Sequence, residues 1–134
     1  MNTEELAQFM LEDSSIRKVY GGVLPKDYLP IETKPPQLFI VNCDESTEKG
    51  SHWVVVYLVN KSSAEYFDPL GAIPSTDFVK YLLSQSDDIR INLKQCQSTT
   101  SSSCGKFCLY YCYFRSRGYS MQKNSEHVSE RFIL

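Results

Sequence analysis

Short apolar runs alternate along the chain with polar or glycine- and proline-rich stretches, and this pattern predicts separate strands and helices. Four runs rich in β-branched and aromatic residues predict strands, at residues 38–43, 52–59, 64–67 and 89–93. Only residues 60–63 separate the second run from the third, so these two strands are expected to pair antiparallel. The turn sequence Asp68-Pro69-Leu70-Gly71 ends the third strand.

Three stretches have helical periodicity instead. Residues 3–12 carry acids in the first turn after a candidate cap at Asn2 or Thr3, and residues 75–86 place Phe78, Val79, Leu82 and Leu83 on one face. Residues 104–117 are apolar on nearly all sides, which predicts a buried central helix. The glycines and prolines of residues 21–36 predict an extended loop, residues 98–103 a hydroxyl-rich loop, and residues 125–134 a single helical turn.

These elements together predict an α+β fold. We expect a small, mainly antiparallel sheet of about four or five strands, packed on a buried central helix that carries Cys104 at its N-terminus. The 134 residues and 15.4 kDa suit one domain, covering residues 1–134. The proportions of 42% apolar and 22% charged residues are those of an ordinary globular protein.

Charge and hydropathy exclude some classes of function. With 14 basic and 16 acidic residues the net charge is -2, which makes nucleic acid an unlikely partner. No apolar stretch is long enough to cross a membrane. The acidic, amphipathic start lacks the features of a secretory signal, so we expect an intracellular protein of the cytoplasm or nucleus and not a secreted one.

Five cysteines are present, an odd number that a closed disulfide framework cannot use up: Cys43, Cys96, Cys104, Cys108 and Cys112. Without a secretory signal, free thiols in a reducing compartment are expected. A zinc site usually needs a close cysteine pair plus a second pair of cysteines or histidines. The chain has no Cys-x-x-Cys, and its two histidines are far apart, at positions 52 and 127, so no metal is expected.

Cys104 is the candidate nucleophile. It begins a predicted helix, where converging N–H groups and the helix dipole favour a thiolate. The adjacent Gly105 would let a substrate carbonyl approach the backbone closely. Cys108 and Cys112 lie inside the same helix at intervals of four residues, which indicates core packing. Core packing is also the alternative interpretation of Cys104.

A nucleophilic thiol needs a basic partner, and His52 suits this role. Antiparallel pairing of residues 52–59 with 64–67 would bring the ends of both strands together, placing Asp68 beside His52. A carboxylate beside an imidazole is the third member of a catalytic triad. The alternative is that Asp68 merely forms a turn and that His52 is an incidental strand residue. His127 lies in a polar tail and is interpreted as a solvated histidine.

Four motifs in chain order resemble those of the adenovirus-type (adenain-like) cysteine proteases, over about residues 38–118: His52-Trp53, Tyr66-Phe67-Asp68-Pro69-Leu70-Gly71, Gln97, and Cys104-Gly105-Lys106-Phe107-Cys108. The wider clan, which includes the SUMO-specific (ubiquitin-like) proteases, shares the order His, Asp or Glu, Gln, Cys. The resemblance implies that Cys104 is the nucleophile, His52 the general base, Asp68 the orienting acid and Gln97 an oxyanion-hole donor. It also implies that Trp53, like Gly105, lies at the substrate site.

The chain departs from the adenovirus pattern in ways that affect its expected partners. Adenovirus enzymes carry Glu at the position of Asp68, whereas SUMO proteases carry Asp there. Arg90 stands where the adenovirus enzyme has the cysteine that bonds its activating peptide, and the net charge of -2 gives little support to activation by DNA. We therefore expect no cofactor. The shortness of the chain suggests a virus-like or transposon-encoded relative, which could be packaged in a virus-like particle.

The sequence thus favours a cysteine endopeptidase that cleaves viral or virus-like precursor proteins, acting as a monomer on polypeptide substrates. Two alternatives stay open. A protease specific for SUMO or another ubiquitin-like modifier would share the site but would need a surface that grips a folded protein. A non-catalytic binding domain could keep the fold without the chemistry.

Overall fold

A computed structural model describes residues 1–44, 52–92, 95, 104–120 and 129–132. Helices α1 and α2 (Thr3–Glu12 and Ser14–Arg17) open the chain, and helices α3 and α4 (Thr76–Gln85 and Cys104–Ser116) follow later. The six strands, β1 to β6, are Tyr20–Pro25, Gln37–Asn42, Trp53–Asn60, Ser63–Phe67, Asp88–Asn92 and Ser129–Phe132. A 3₁₀ turn, Lys26–Tyr28, follows β1.

The described strands form one sheet in the order β1-β2-β3-β4-β5-β6. Strands β2, β3 and β4 pair antiparallel, as do β5 and β6, whereas β1–β2 and β4–β5 are parallel. The predicted α+β class with a mainly antiparallel sheet is therefore confirmed. The prediction of four or five strands was too low, because the described residues contain six.

Both additional strands lie where the sequence predicted something else. Strand β1 occupies part of the expected loop of residues 21–36, and β6 lies within the expected helical turn at the C-terminal end. In β1 the register shifts between Tyr20 and Gly22, and Gly22 has a φ of 148°. Gly21 lies so close to the Phe39 ring that an added Cβ would be 2.5 Å from it. Main-chain pairing with β2 thus forms a strand in which three of six residues, two glycines and a proline, have low β-propensity, and side-chain patterns do not predict it.

The sheet has a hydrophobic core on each face, and strand β3 contributes to both. Trp53, Val55 and Tyr57 pack on the side of α1 and α4, while Val54, Val56 and Leu58 pack on the side of α3. Successive strand residues point to opposite faces, so a strand covered on both faces is apolar throughout. This double coverage explains why residues 53–59 form a continuous apolar run.

The ends and faces of the helices differ in part from the predictions. Asn2 caps α1 in a capping box with Glu5, whose backbone N–H donates to Asn2 at 2.9 Å. Of the four residues predicted to lie on the buried face of α3, Phe78 and Leu82 are buried, whereas Leu83 is 40% exposed.

Among the described residues, no helix combines the length and apolar character needed to cross a bilayer.

Helix α4 is buried on one face only, and the prediction of a helix buried on nearly all sides was wrong. Its buried face carries Cys104, Cys108, Tyr111 and Cys112. The opposite face is aromatic and exposed, with Tyr110, Tyr113 and Phe114 at 58%, 44% and 40% exposure. Tyrosine suits such a face because its ring is apolar while its hydroxyl can remain hydrated.

A buried ionic cluster fastens the later turns of α4 to the sheet. Glu65 of β4 is 5% exposed, and its carboxylate accepts hydrogen bonds from the Tyr111 hydroxyl and from Arg115. The Arg115 guanidinium donates from Nε at 2.8 Å and from a terminal nitrogen at 3.0 Å, which is a bidentate pair. It also lies over the Tyr57 ring, 5.1 Å from the centroid. The cluster therefore links α4 to both β3 and β4.

Candidate active site

Cys104 is the first residue of α4, with 7% of its surface exposed. Its thiol thus lies at the helix end where backbone N–H groups point outward and favour negative charge. The next residue, Gly105, is buried, and a Cβ there would lie 3.3 Å from Leu6 and 3.5 Å from Met1. The missing side chain therefore lets α1 pack closely against the start of α4. This packing explains the glycine without reference to a substrate.

His52 and Asp68 are in direct contact. The Nε2 atom of His52 is 2.7 Å from Oδ1 of Asp68, and the two side chains are 22% and 4% exposed. The hairpin of β3 and β4 brings the two residues near each other, since Val55 pairs with Phe67 and the next residue, Asp68, is then opposite Val54, two residues from His52. The same oxygen of Asp68 also accepts a hydrogen bond from the Leu70 N–H at 2.8 Å, which orients the carboxylate. Asp68 thus forms a turn, as the alternative interpretation held, and also contacts the imidazole.

The thiol and the imidazole interact as well. The hydrogen bond with Asp68, followed by the one with Cys104, raises the pKa of His52 to about 9. Burial by itself would raise the pKa of Cys104, but the hydrogen bond with His52 and backbone hydrogen bonds from Trp53 and Gly105 bring it below its ordinary value. Nε2 of His52 is bonded to Asp68, so the other ring nitrogen, Nδ1, is the one that can interact with the Cys104 thiol. The raised pKa of His52 and the lowered pKa of Cys104 together favour a thiolate–imidazolium pair.

Trp53 lies between the site and the core. Its side chain is 8% exposed and packs with Cys104 and Cys108 between the sheet and α4. Its carbonyl oxygen accepts a hydrogen bond from the Cys108 thiol at 3.3 Å, which joins β3 to the helix directly below Cys104. Trp53 therefore fixes the distance between the strand that carries His52 and the helix that carries Cys104.

The other cysteines of α4 differ from Cys104 in their electrostatic surroundings. Cys108 and Cys112 are fully buried, and burial raises the pKa of both thiols well above the ordinary value. Cys43, Cys104, Cys108 and Cys112 are all free thiols. Within the described part of the chain, no group of three or more His, Cys, Asp or Glu side chains is arranged to hold a metal ion.

Three residues named from the sequence lie outside the described residues: Gln97, which is the expected oxyanion-hole donor, Cys96 and His127. One residue that belongs to the site was not predicted. Asn92, at the end of β5, is fully buried and hydrogen-bonds both main-chain groups of Asp68. The available signal was a polar residue that ends the alternating strand sequence Ile89-Arg90-Ile91-Asn92.

Comparison with known proteins supports the fold class. No protein-family model and no curated protein matches the chain. Among solved structures, the central domain of the uncharacterized Lpg1148 protein from Legionella pneumophila is similar, with a TM-score of 0.56 and 20% identity, over 90% of this chain and 78% of that one. At this identity the similarity shows a shared fold and no more.

A second similar structure is a protease from ASFV. It matches with a TM-score of 0.48 and 22% identity, over 71% of this chain. The aligned part is 40% of the ASFV protein, so this chain spans less than half of that protein's length.

Proposed function

We propose that this chain is a cysteine endopeptidase, in which Cys104 is the nucleophile, His52 the general base and Asp68 the acid that orients the histidine. One observation carries the proposal. The thiol at the start of α4 is hydrogen-bonded to an imidazole whose Nε2 atom lies 2.7 Å from a buried carboxylate. A cysteine used only for core packing would have no need of this series of polar groups.

In the first step the Cys104 thiolate attacks the carbonyl carbon of the scissile peptide bond. The carbon–sulfur bond forms while the carbonyl π electrons move to oxygen, which becomes negatively charged. Preplaced N–H donors stabilise this oxygen. The backbone N–H of Cys104 is one proposed donor, because it belongs to the unpaired first turn of α4. The Gln97 side chain is the second, on the strength of its place in the sequence motif.

In the second step the tetrahedral intermediate collapses. The His52 imidazolium gives its proton to the leaving amine, the carbon–nitrogen bond breaks, and an acyl thioester remains on Cys104. Water then attacks the thioester with its proton passing to His52, and the carboxylic acid product leaves as the thiolate reforms. Asp68 holds the ring in one orientation throughout and stabilises the imidazolium.

The proposed substrates are polypeptides that bind beside Cys104 and His52. We place the protein inside the cell as a monomer that processes viral or virus-like precursor proteins. This assignment rests on the sequence resemblance. Removal of a ubiquitin-like modifier is the second candidate function, since proteases of that class use the same kinds of catalytic residues.

Electrophilic probes separate the two substrate classes. Propargylamide or vinyl sulfone derivatives of SUMO and ubiquitin label a protease only when it binds the folded modifier, whereas a short peptide with the same warhead needs only the cleft. We expect labelling of Cys104 by the peptide probe and not by the modifier probes. Preferential labelling by a modifier probe would establish the second candidate.

The pH dependence of the Cys104 thiol tests the ion pair itself. The pair exists at pH values above the pKa of Cys104, which is lowered, and below the pKa of His52, which is about 9. We expect iodoacetamide to alkylate Cys104 at least about tenfold faster than Cys108 or Cys112 at neutral pH. Peptide hydrolysis should fall as the pH rises past about 9, because His52 then lacks the proton that the leaving amine needs.

Mass spectrometry of the alkylated peptides gives the rate for each cysteine. His52→Ala is the matched variant, since it removes the partner of the thiolate and should move alkylation of Cys104 to higher pH. Alkylation of Cys104 with the pH dependence of an unperturbed thiol, unchanged in His52→Ala, would contradict the ion pair.

A further inference from the structure

The main chain of Asp68 is held by a side chain from the neighbouring strand. Asp68 lies one residue beyond β4, and the parallel pairing of β4 with β5 ends at Tyr66 and Ile91. Beyond that point the Asn92 side chain bonds to the Asp68 main chain. The Asp68 N–H donates to Oδ1 of Asn92 at 2.8 Å, and Nδ2 of Asn92 donates to the Asp68 carbonyl oxygen at 2.6 Å.

This arrangement requires the chemistry of a carboxamide. A single amide presents one acceptor and one donor side by side, which match the N–H and C=O of one residue. A carboxylate would lack the donor, and an apolar side chain would lack both. Asn92 is 0% exposed and Asp68 is 3% exposed, so water cannot readily replace these bonds.

These two hydrogen bonds from Asn92 hold the main chain of Asp68, whose carboxylate orients His52. The Asp68 carboxylate has to lie within hydrogen-bond distance of His52 while its backbone bends into the turn toward Gly71, whose N–H donates to the Asp68 carbonyl oxygen at 2.8 Å. Small displacements of a catalytic group are costly to the rate of reaction. Fixing both polar groups of the main chain leaves the side chain little freedom to move away from the ring.

We infer that Asn92 is a positioning residue of the active site, which holds Asp68 at the distance from His52 that catalysis requires. The expected effect of Asn92 on turnover rests on the proposed function. Its effect on the position of Asp68 relative to His52 does not depend on that function. The two parts can therefore be measured separately.

The geometric part is tested by proton NMR titration of His52, assigned by comparison with His52→Ala. Among the described residues, Asp68 and Cys104 act on the His52 ring, and the bond with Asp68 is the larger influence. In Asn92→Ala we expect the pKa of His52 to fall from about 9 toward the ordinary value for histidine, because the carboxylate is no longer held in place.

Asn42 provides the matched control. It is also a buried asparagine at the end of a strand, but its side chain accepts a hydrogen bond from the Asp44 N–H at 2.9 Å. Asn42→Ala should therefore leave the titration of His52 unchanged. An unchanged His52 pKa in folded Asn92→Ala, or an equal fall in Asn42→Ala, would overturn the inference.

Kinetics test the part that depends on catalysis. Asn92→Ala should lower kcat by about 10- to 100-fold with little change in KM. In an Asp68→Asn background the same substitution should cause no further loss, because the carboxylate that it positions is already gone. A further loss of similar size would indicate a general structural effect. If the wild-type chain shows no peptidase activity, the proposed function fails while the NMR titration still decides the role of Asn92.

Removal of a buried amide can prevent folding, so Asn92→Ser serves as a second variant. Its hydroxyl keeps a donor and an acceptor but is too short to satisfy both main-chain groups at once. We expect it to fold and to show a smaller fall in the His52 pKa than Asn92→Ala. Failure of both variants to fold, while Asn42→Ala folds, would show that Asn92 is a structural residue and would overturn the inference.

Discussion

Replacement of Cys104 by alanine is expected to abolish peptide hydrolysis, with kcat falling by roughly 10⁶-fold to the background rate. Among the described cysteines none can replace Cys104 as the nucleophile, because burial raises the pKa of Cys43, Cys108 and Cys112 well above the ordinary value. The protein should keep its fold, since the exchange removes a single sulfur atom from a partly polar position. Hydrolysis of a fluorogenic peptide, together with circular dichroism of the variant, provides the measurement.

Cys112→Ala is the control for this experiment. Cys112 lies eight residues further along α4 and is fully buried, so its replacement affects core packing and not the site. It should retain activity. His52→Ala should be nearly as inactive as Cys104→Ala, whereas Asp68→Asn should retain more activity because nucleophile and base both remain. Retention of activity in Cys104→Ala would rule out the proposed nucleophile.

The largest effect on stability is expected from Arg115→Met, which should lower the free energy of unfolding by about 3–5 kcal/mol. The substitution leaves the Glu65 carboxylate buried with its main charged partner gone. The side chains of Arg115 and Glu65 are only 13% and 6% exposed, so water can compensate little. Urea denaturation followed by tryptophan fluorescence suits the measurement, because Trp53 is the single tryptophan and is buried in the core.

Arg117→Met provides the comparison, since Arg117 pairs with Asp13 at 2.8 Å on the surface. Its effect should be much smaller, as is usual for exposed ion pairs. Replacing both Glu65 and Arg115 by apolar residues should recover part of the stability that Arg115→Met loses, because no buried charge then remains. An equally small effect of Arg115→Met and Arg117→Met would show that the buried cluster contributes little.

The contact of His52 with Asp68 could be predicted from sequence because it depends on a short hairpin. Two neighbouring strands and a turn fix the register, and continuing the pairing of Val55 with Phe67 brings Asp68 close to His52. The position of Cys104 could likewise be predicted from the start of a helix. Both the His52–Asp68 contact and the position of Cys104 are determined by a short stretch of local sequence.

Asn92 could not be predicted in the same way. Its contact with Asp68 depends on the parallel pairing of β4 with β5, which are joined through α3, and no local pattern sets the register of such a connection. The same reason applies to Glu65, whose partners Tyr111 and Arg115 come from a helix nearly fifty residues later. Strand β1 escaped prediction because its two glycines and its proline give no alternating side-chain pattern.

The irregularity of β1 has a consequence for how this sheet meets other proteins. β1 is the outermost strand at one end of the sheet, a position from which a strand of another molecule could continue the hydrogen-bonding pattern. Its register shifts between Tyr20 and Gly22, and it ends at Pro25, which has no N–H to donate. An incoming strand would therefore find an uneven row of donors and acceptors. Irregular edges of this kind disfavour the pairing of strands between molecules.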